Sequence, residues 1–74
     1  MDIGMIKPGQ AVKTNAELGK TRGFNVKPER IAARRKNANG TVKNFVPGHG
    51  GDVWFVEHAD GSIAAYMFDE FESA

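Results

Sequence analysis

The sequence of 74 residues contains no cysteine. That excludes a disulfide framework and any thiolate metal site, and it makes a reducing, cytoplasmic setting the expectation. Long apolar runs are missing as well. The opening MDIGMIKPGQ lacks the hydrophobic stretch of a secretory signal, and no segment approaches the roughly 20 apolar residues of a membrane-spanning helix. A soluble protein without membrane contact is therefore expected. Aromatic residues are scarce, with five Phe, one Trp and one Tyr, so most of them are needed to fill a core. No long amphipathic helix is available, which leaves strands to build that core.

Residues 44–74 hold no Lys or Arg, although the net charge of the whole chain is only +1. All ten basic residues lie in 1–43 against three acids there, a net +7. The second part carries Asp52, Glu57, Asp60, Asp69, Glu70 and Glu72, a net −6. Either the two parts interleave in the fold and neutralise each other, or a basic surface survives.

Seventy-four residues make a single domain spanning 1–74, of a size that buries only about 60% of its unfolded surface. Nine glycines and three prolines in so short a chain point to many turns, as in all-β domains. The clearest element is Asp52–Met67, read as a β-hairpin. Val53, Trp54, Phe55 and Val56 are β-branched or aromatic residues that suit a pleated surface. Asp60-Gly61 predicts a two-residue type I′ turn with positive φ at both positions. Alternation puts Trp54, Val56 and His58 on one face and Val53, Phe55 and Glu57 on the other. Both faces are largely apolar, so both need cover, as in a sheet that bends back on itself.

Ahead of the hairpin, Pro8-Gly9 signals a turn and Gln10–Thr14 a first strand. No strand is expected between Asn15 and about Asn39, and so long a connection predicts a functional loop or a short helix of its own. Pro28–Lys36 fits that helix, with Lys27 at the N-cap, Pro28 at the first helical position and Glu29 in the first turn. Asn37 and Asn39-Gly40 end it. Gly40–Val46 reads as a second strand, with Val42, Asn44 and Val46 on one face and Thr41, Lys43 and Phe45 on the other. Phe68–Phe71 predicts a 3₁₀ turn that sets Phe68 and Phe71 on one side, followed by a short last strand over Glu70–Glu72.

Pro8-Gly9-Gln10-Ala11-Val12, Gly40-Thr41-Val42, Val56 with Asp60-Gly61, and Phe68-Asp69-Glu70-Phe71-Glu72 together resemble the skeleton of small bacterial and phage SH3-like proteins. The resemblance spans nearly the whole chain and consists of turn and core residues. It implies a mainly β fold: a small SH3-like barrel of about five strands with a long first loop carrying a short helix. KOW modules of ribosomal and transcription proteins share the opening and the Gly-Thr-Val step and bind RNA or protein, but their first loop is much shorter. The ALYDY-like and Trp-Trp signatures of eukaryotic proline-rich-peptide binders are absent.

Little in the sequence points to catalysis. His49 lies in Pro47-Gly48-His49-Gly50-Gly51, but no strand-to-helix step follows, as phosphate-cradling loops require. His58, Glu57, Asp60 and His49 lack any recognised metal spacing. No Ser–His–Asp or Cys–His set exists, and Asp69, Glu70 and Glu72 read as a solvated edge. We expect no enzyme, no cofactor and no metal.

Two binding roles are compatible with the residues. As a protein-interaction module, the chain would use its first loop and one hairpin face, with Phe55 and Tyr66 as anchors. It would be a monomer or weak homodimer, and the identity of the partner is not encoded. As a nucleic-acid-binding barrel, it would use Lys27, Arg30, Arg34, Arg35 and Lys36, with Tyr66, Phe45 or Phe55 for stacking. The helical spacing places Arg30 and Arg34 one turn apart and exposed, without a carboxylate partner from 69–72, and Ile31 draws the Arg35 stem inward.

Overall fold

The computed structural model describes residues 6–21, 24–48 and 52–74. In chain order it holds β1 (Ala11–Thr14), α1 (Pro28–Ala32), β2 (Asn39–Val46), β3 (Val53–His58), β4 (Ile63–Tyr66) and β5 (Phe71–Ser73). The five strands form one antiparallel sheet in the order β4-β3-β2-β1-β5. The fold is mainly β, with 39% of the described residues in strands against one short helix. No helix among the described residues is long and apolar enough to cross a membrane.

The sheet is open in its hydrogen bonding but curled in shape. β3 and β5 are three strand spacings apart, about 14 Å in a flat sheet. Yet the rings of Trp54 on β3 and Phe71 on β5 lie 6.4 Å apart, edge to face. Only a sheet bent over on itself brings them together. Every strand contributes to the core so enclosed: Val12, Val42, Trp54 with Val56, Ala64 with Tyr66, and Phe71. Ile6, Leu18 and Ala33 pack against it from outside the strands.

Pro8-Gly9 forms the expected turn. Gln10 N–H donates to the Lys7 carbonyl at 3.2 Å, and Gly9 takes φ +88° at the position where a type II turn requires it. The central hairpin is present, but its turn differs from type I′. Gly61 has φ +89°, whereas neither Ala59 nor Asp60 has positive φ. Gly61 N–H donates to the His58 carbonyl at 2.9 Å, and His58 N–H to the Ser62 carbonyl at 2.8 Å. This is a three-residue loop, a type I turn closed by a glycine bulge. The extra loop residue shifts the register by one. A two-residue loop at Asp60-Gly61 would set Phe55 opposite Tyr66; here Trp54 faces Tyr66 and Phe55 faces Ala65. A one-residue slip moves a whole strand's side chains to the other face, so Tyr66 enters the core.

A second local irregularity corrects the expected faces of β2. Val42 pairs with Val56, but Asn44 pairs with Phe55 and Phe45 with Trp54, so one extra residue, Lys43, is bulged out of the ladder. The bulge puts Val42 and Phe45 on the same face, although alternation separates them. Phe45 therefore meets Trp54, with ring centroids 5.0 Å apart, while remaining 48% exposed.

The helix is shorter than Pro28–Lys36. Lys27 is its N-cap and Pro28 opens it, but it ends at Ala32, with Ala33 as the C-cap. Beyond that point the tertiary structure offers better partners than another turn: Arg35 N–H donates to the Tyr66 hydroxyl at 2.7 Å. Asn37, with φ +51°, completes the reversal. The Phe68–Phe71 segment is a turn closed one residue earlier, by Glu70 N–H to the Met67 carbonyl at 3.0 Å. Its two phenylalanines do not share a side. Phe71 is the first residue of β5 and is buried, whereas Phe68 is 37% exposed. The last strand is Phe71–Ser73, one residue later than expected.

Candidate functional site

Two clusters bring together the residues singled out by the sequence: one is internal and one lies at the surface. The internal one starts from Tyr66, whose hydroxyl sits between a donor and an acceptor. Arg35 N–H donates to it at 2.7 Å, and His58 Nε2 lies 2.7 Å away. The other ring nitrogen, His58 Nδ1, lies 3.0 Å from the Asn39 carbonyl, which can only accept. Nδ1 of the neutral ring must then carry the proton, leaving Nε2 to accept from Tyr66. Burial pushes the Tyr66 hydroxyl above its usual pKa near 10, against opposing pulls from the Arg35 backbone and the Arg34 and Arg35 charges. Beside it, Thr14 Oγ1 donates to the Arg35 carbonyl at 2.6 Å and accepts from Ala38 N–H at 2.8 Å.

Arg34 and Glu70 form the charged part of this cluster, and both side chains are almost wholly buried. Glu70 accepts from Arg34 Nη2 and from the backbone N–H of Gly19 and, at 2.8 Å, of Met67. The Arg34 guanidinium lies between two rings, its Cζ 5.2 Å from the Phe24 centroid and 5.5 Å from that of Tyr66. Arg34 Nη1 is buried and has no hydrogen-bond partner among the described residues. Arg34 and Tyr66 are thus internal residues. Neither presents itself to a nucleic acid, and the expectation that Arg34 lies exposed without an acidic partner is corrected by Glu70.

At the surface, Arg35 pairs with Asp60, both about half exposed, and Lys43 with Glu57 at 3.6 Å. Ser62 also holds Asp60: its hydroxyl donates at 2.7 Å and its N–H at 3.0 Å. These bonds, led by the Ser62 hydroxyl and aided by Arg35, hold the Asp60 carboxyl well below the usual carboxylate range. Each of these three ion pairs joins the basic first part of the chain to the acidic second part. Arg30 has a ring instead of a carboxylate, its Cζ 5.7 Å from the Phe55 centroid, and both residues are half-buried. Lys27 and Lys36 are exposed. Of the seven residues expected to bind a partner, Lys27, Arg30, Lys36 and Phe55 remain, with no ion pair to a described carboxylate, and of these Arg30 and Phe55 are in contact.

Sequence reasoning missed one surface aromatic, Phe68, and two internal residues, His58 and Glu70, the latter read as part of a solvated edge. Phe45, expected as a stacking residue, and Phe68 are the large apolar residues left exposed among the described residues. His58, considered only as a metal ligand, is a buried hydrogen-bonding partner. His49 lies outside the described residues. Among the described residues, no three His, Asp or Glu side chains gather as metal ligands. A shallow groove of about 260 Å³ runs between Asn39–Thr41 and Glu57–Ala59, and its one buried titratable side chain, His58, is already bonded at both ring nitrogens. No family model, curated protein or solved structure matches the chain.

Proposed function

We propose that the chain is a non-enzymatic protein-interaction module of the small SH3-like type, bacterial or phage in kind and cytoplasmic. The strand order β4-β3-β2-β1-β5 and the curl about a bulged β2 support the SH3-like reading. The absence of cysteine supports the compartment.

The observation that carries the interaction reading is Arg30 over Phe55. It joins the first loop to the outer face of the hairpin, and arginine and aromatic side chains are the types that dominate interface centres. Asn44, cross-strand from Phe55, is exposed beside it. The three ion pairs weigh against the nucleic-acid alternative, because they engage Arg34, Arg35 and Lys43 within the protein.

The test places a photo-crosslinking residue at position 55 and captures partners across a salt series, with and without Arg30→Ala. A discrete protein adduct is expected to persist at about 0.5 M salt, where exposed charges are screened within about 4 Å. Arg30→Ala should abolish it. No adduct, or one removed by nuclease digestion, contradicts the reading.

A further inference from the structure

The long connection between β1 and β2 is held in a way that differs from the rest of the fold. The sheet is built on apolar burial: Val12, Val42, Val56 and Ala64 are at most 1% exposed. The described residues of the connection supply no such anchor. Its helix buries no residue, and only Leu18 and Ala33 among them pack partly against the core. What fixes it is largely polar and centres on two side chains that follow the hairpin turn, with further bonds linking Arg35 to Thr14 and Asp60. Glu70 holds the Gly19 N–H and the Arg34 guanidinium, and Tyr66 holds the Arg35 N–H.

Arg34 is a poorly satisfied clasp. A guanidinium fitted to a carboxylate usually makes two parallel bonds; here Arg34 bonds a single carboxylate oxygen through Nη2, and Nη1 goes without a partner among the described residues. A buried donor left unpaired favours conformations in which water reaches it. Segments with few buried apolar contacts are also those that open below the free energy of global unfolding.

We propose that the described residues of 16–36 belong to a strap that opens as a unit over an intact sheet, with Glu70 and Tyr66 as its pins. The strap carries Arg30, so opening lifts Arg30 off Phe55 and divides the surface described above. It also uncovers Tyr66 and Glu70, an aromatic ring beside a carboxylate. The strap itself rests on the pins and not on the interaction reading, and its test needs no partner molecule.

Native-state hydrogen exchange of the full chain decides it. The amides of Gly19, Arg34 and Arg35 should share one protection factor, about tenfold or more below those of Val42 and Val56 in the sheet. In Glu70→Gln, which keeps the shape but removes the charge, the three should fall together by about a further tenfold. Val42 and Val56 should keep theirs. One protection factor common to all five amides, or a uniform fall in the variant, overturns the proposal. So does a fall at Gly19 that leaves Arg35 unmoved, because the strap would then not be a unit. If Glu70→Gln fails to fold, the wild-type difference between strap and sheet amides still supports the strap, and its absence still overturns it.

Discussion

Replacing Tyr66 with phenylalanine removes one oxygen and leaves the ring, which is fully buried, in place. Packing against Trp54 and Val56 is preserved, so the effect isolates the hydroxyl. Two buried groups lose their partner, the Arg35 N–H and His58 Nε2, both now at 2.7 Å from that oxygen. An orphaned buried group costs about 1–3 kcal/mol, partly offset by the easier burial of Phe, so the net loss should be about 2–4 kcal/mol. A 74-residue domain has a total of about 4–11 kcal/mol to lose from. The melting point should fall by about 10–25 °C.

Urea unfolding followed by Trp54 fluorescence measures the loss, and an unchanged m-value would show that no larger rearrangement is involved. The pH dependence gives a second readout. The folded-state pKa of Tyr66 is raised, so its contribution is complete below the unfolded value near 10. It is lost as pH rises above that, because the unfolded chain gives up its proton first. Tyr66→Phe should remove this alkaline slope. A variant within about 0.5 kcal/mol of wild type, with the slope intact, would refute the assignment of the hydroxyl to this network.

The remaining predictions concern single positions. Gly40→Ala would put a Cβ 2.5 Å from Val56 Cγ1 and 2.9 Å from the Glu57 carbonyl; it should destabilise by about 1–3 kcal/mol in urea unfolding. Gly61→Val forces a β-branched residue to φ +89° and should cost at least about 1–2 kcal/mol, with Gly61→Asn milder. Asp60 has a lowered folded-state pKa, so its contribution is present above the unfolded value near 4 and lost as pH falls below it. Acid unfolding of Asp60→Asn should therefore start from a lower plateau and show a shallower slope below pH 4.

The strands were legible because β-branched and aromatic runs and Gly-containing turns act locally. Val53–Val56, Gly61 and Pro8-Gly9 all behave as their residue types require. What was not legible depends on counting residues across a turn or a bulge. Asp60-Gly61 suits a two-residue loop as well as a three-residue one, and that single residue decides whether Tyr66 faces solvent or core. Nothing in Val42-Lys43-Asn44 marks a bulge, so Phe45 reads as lying on the wrong face. The candidate site was legible only where its parts are near in sequence. Arg30 and Phe55 were each singled out, but not their contact. Arg34 finds Glu70 across 36 positions of chain, and no local pattern announces that pairing.

The pairs of Arg34, Arg35 and Lys43 offset part of the charge asymmetry of the sequence, and they engage two of the five residues of the candidate nucleic-acid surface. Amide chemical-shift titration of the full chain with single-stranded RNA and DNA, at about 0.1 M salt where screening sets in within about 10 Å, tests this most directly. With Arg34 and Arg35 engaged within the protein, the account predicts no saturable shift shared by Lys27, Arg30, Arg34, Arg35 and Lys36. Saturable shifts concentrated on those five residues, weakening steeply as salt is raised, would contradict it.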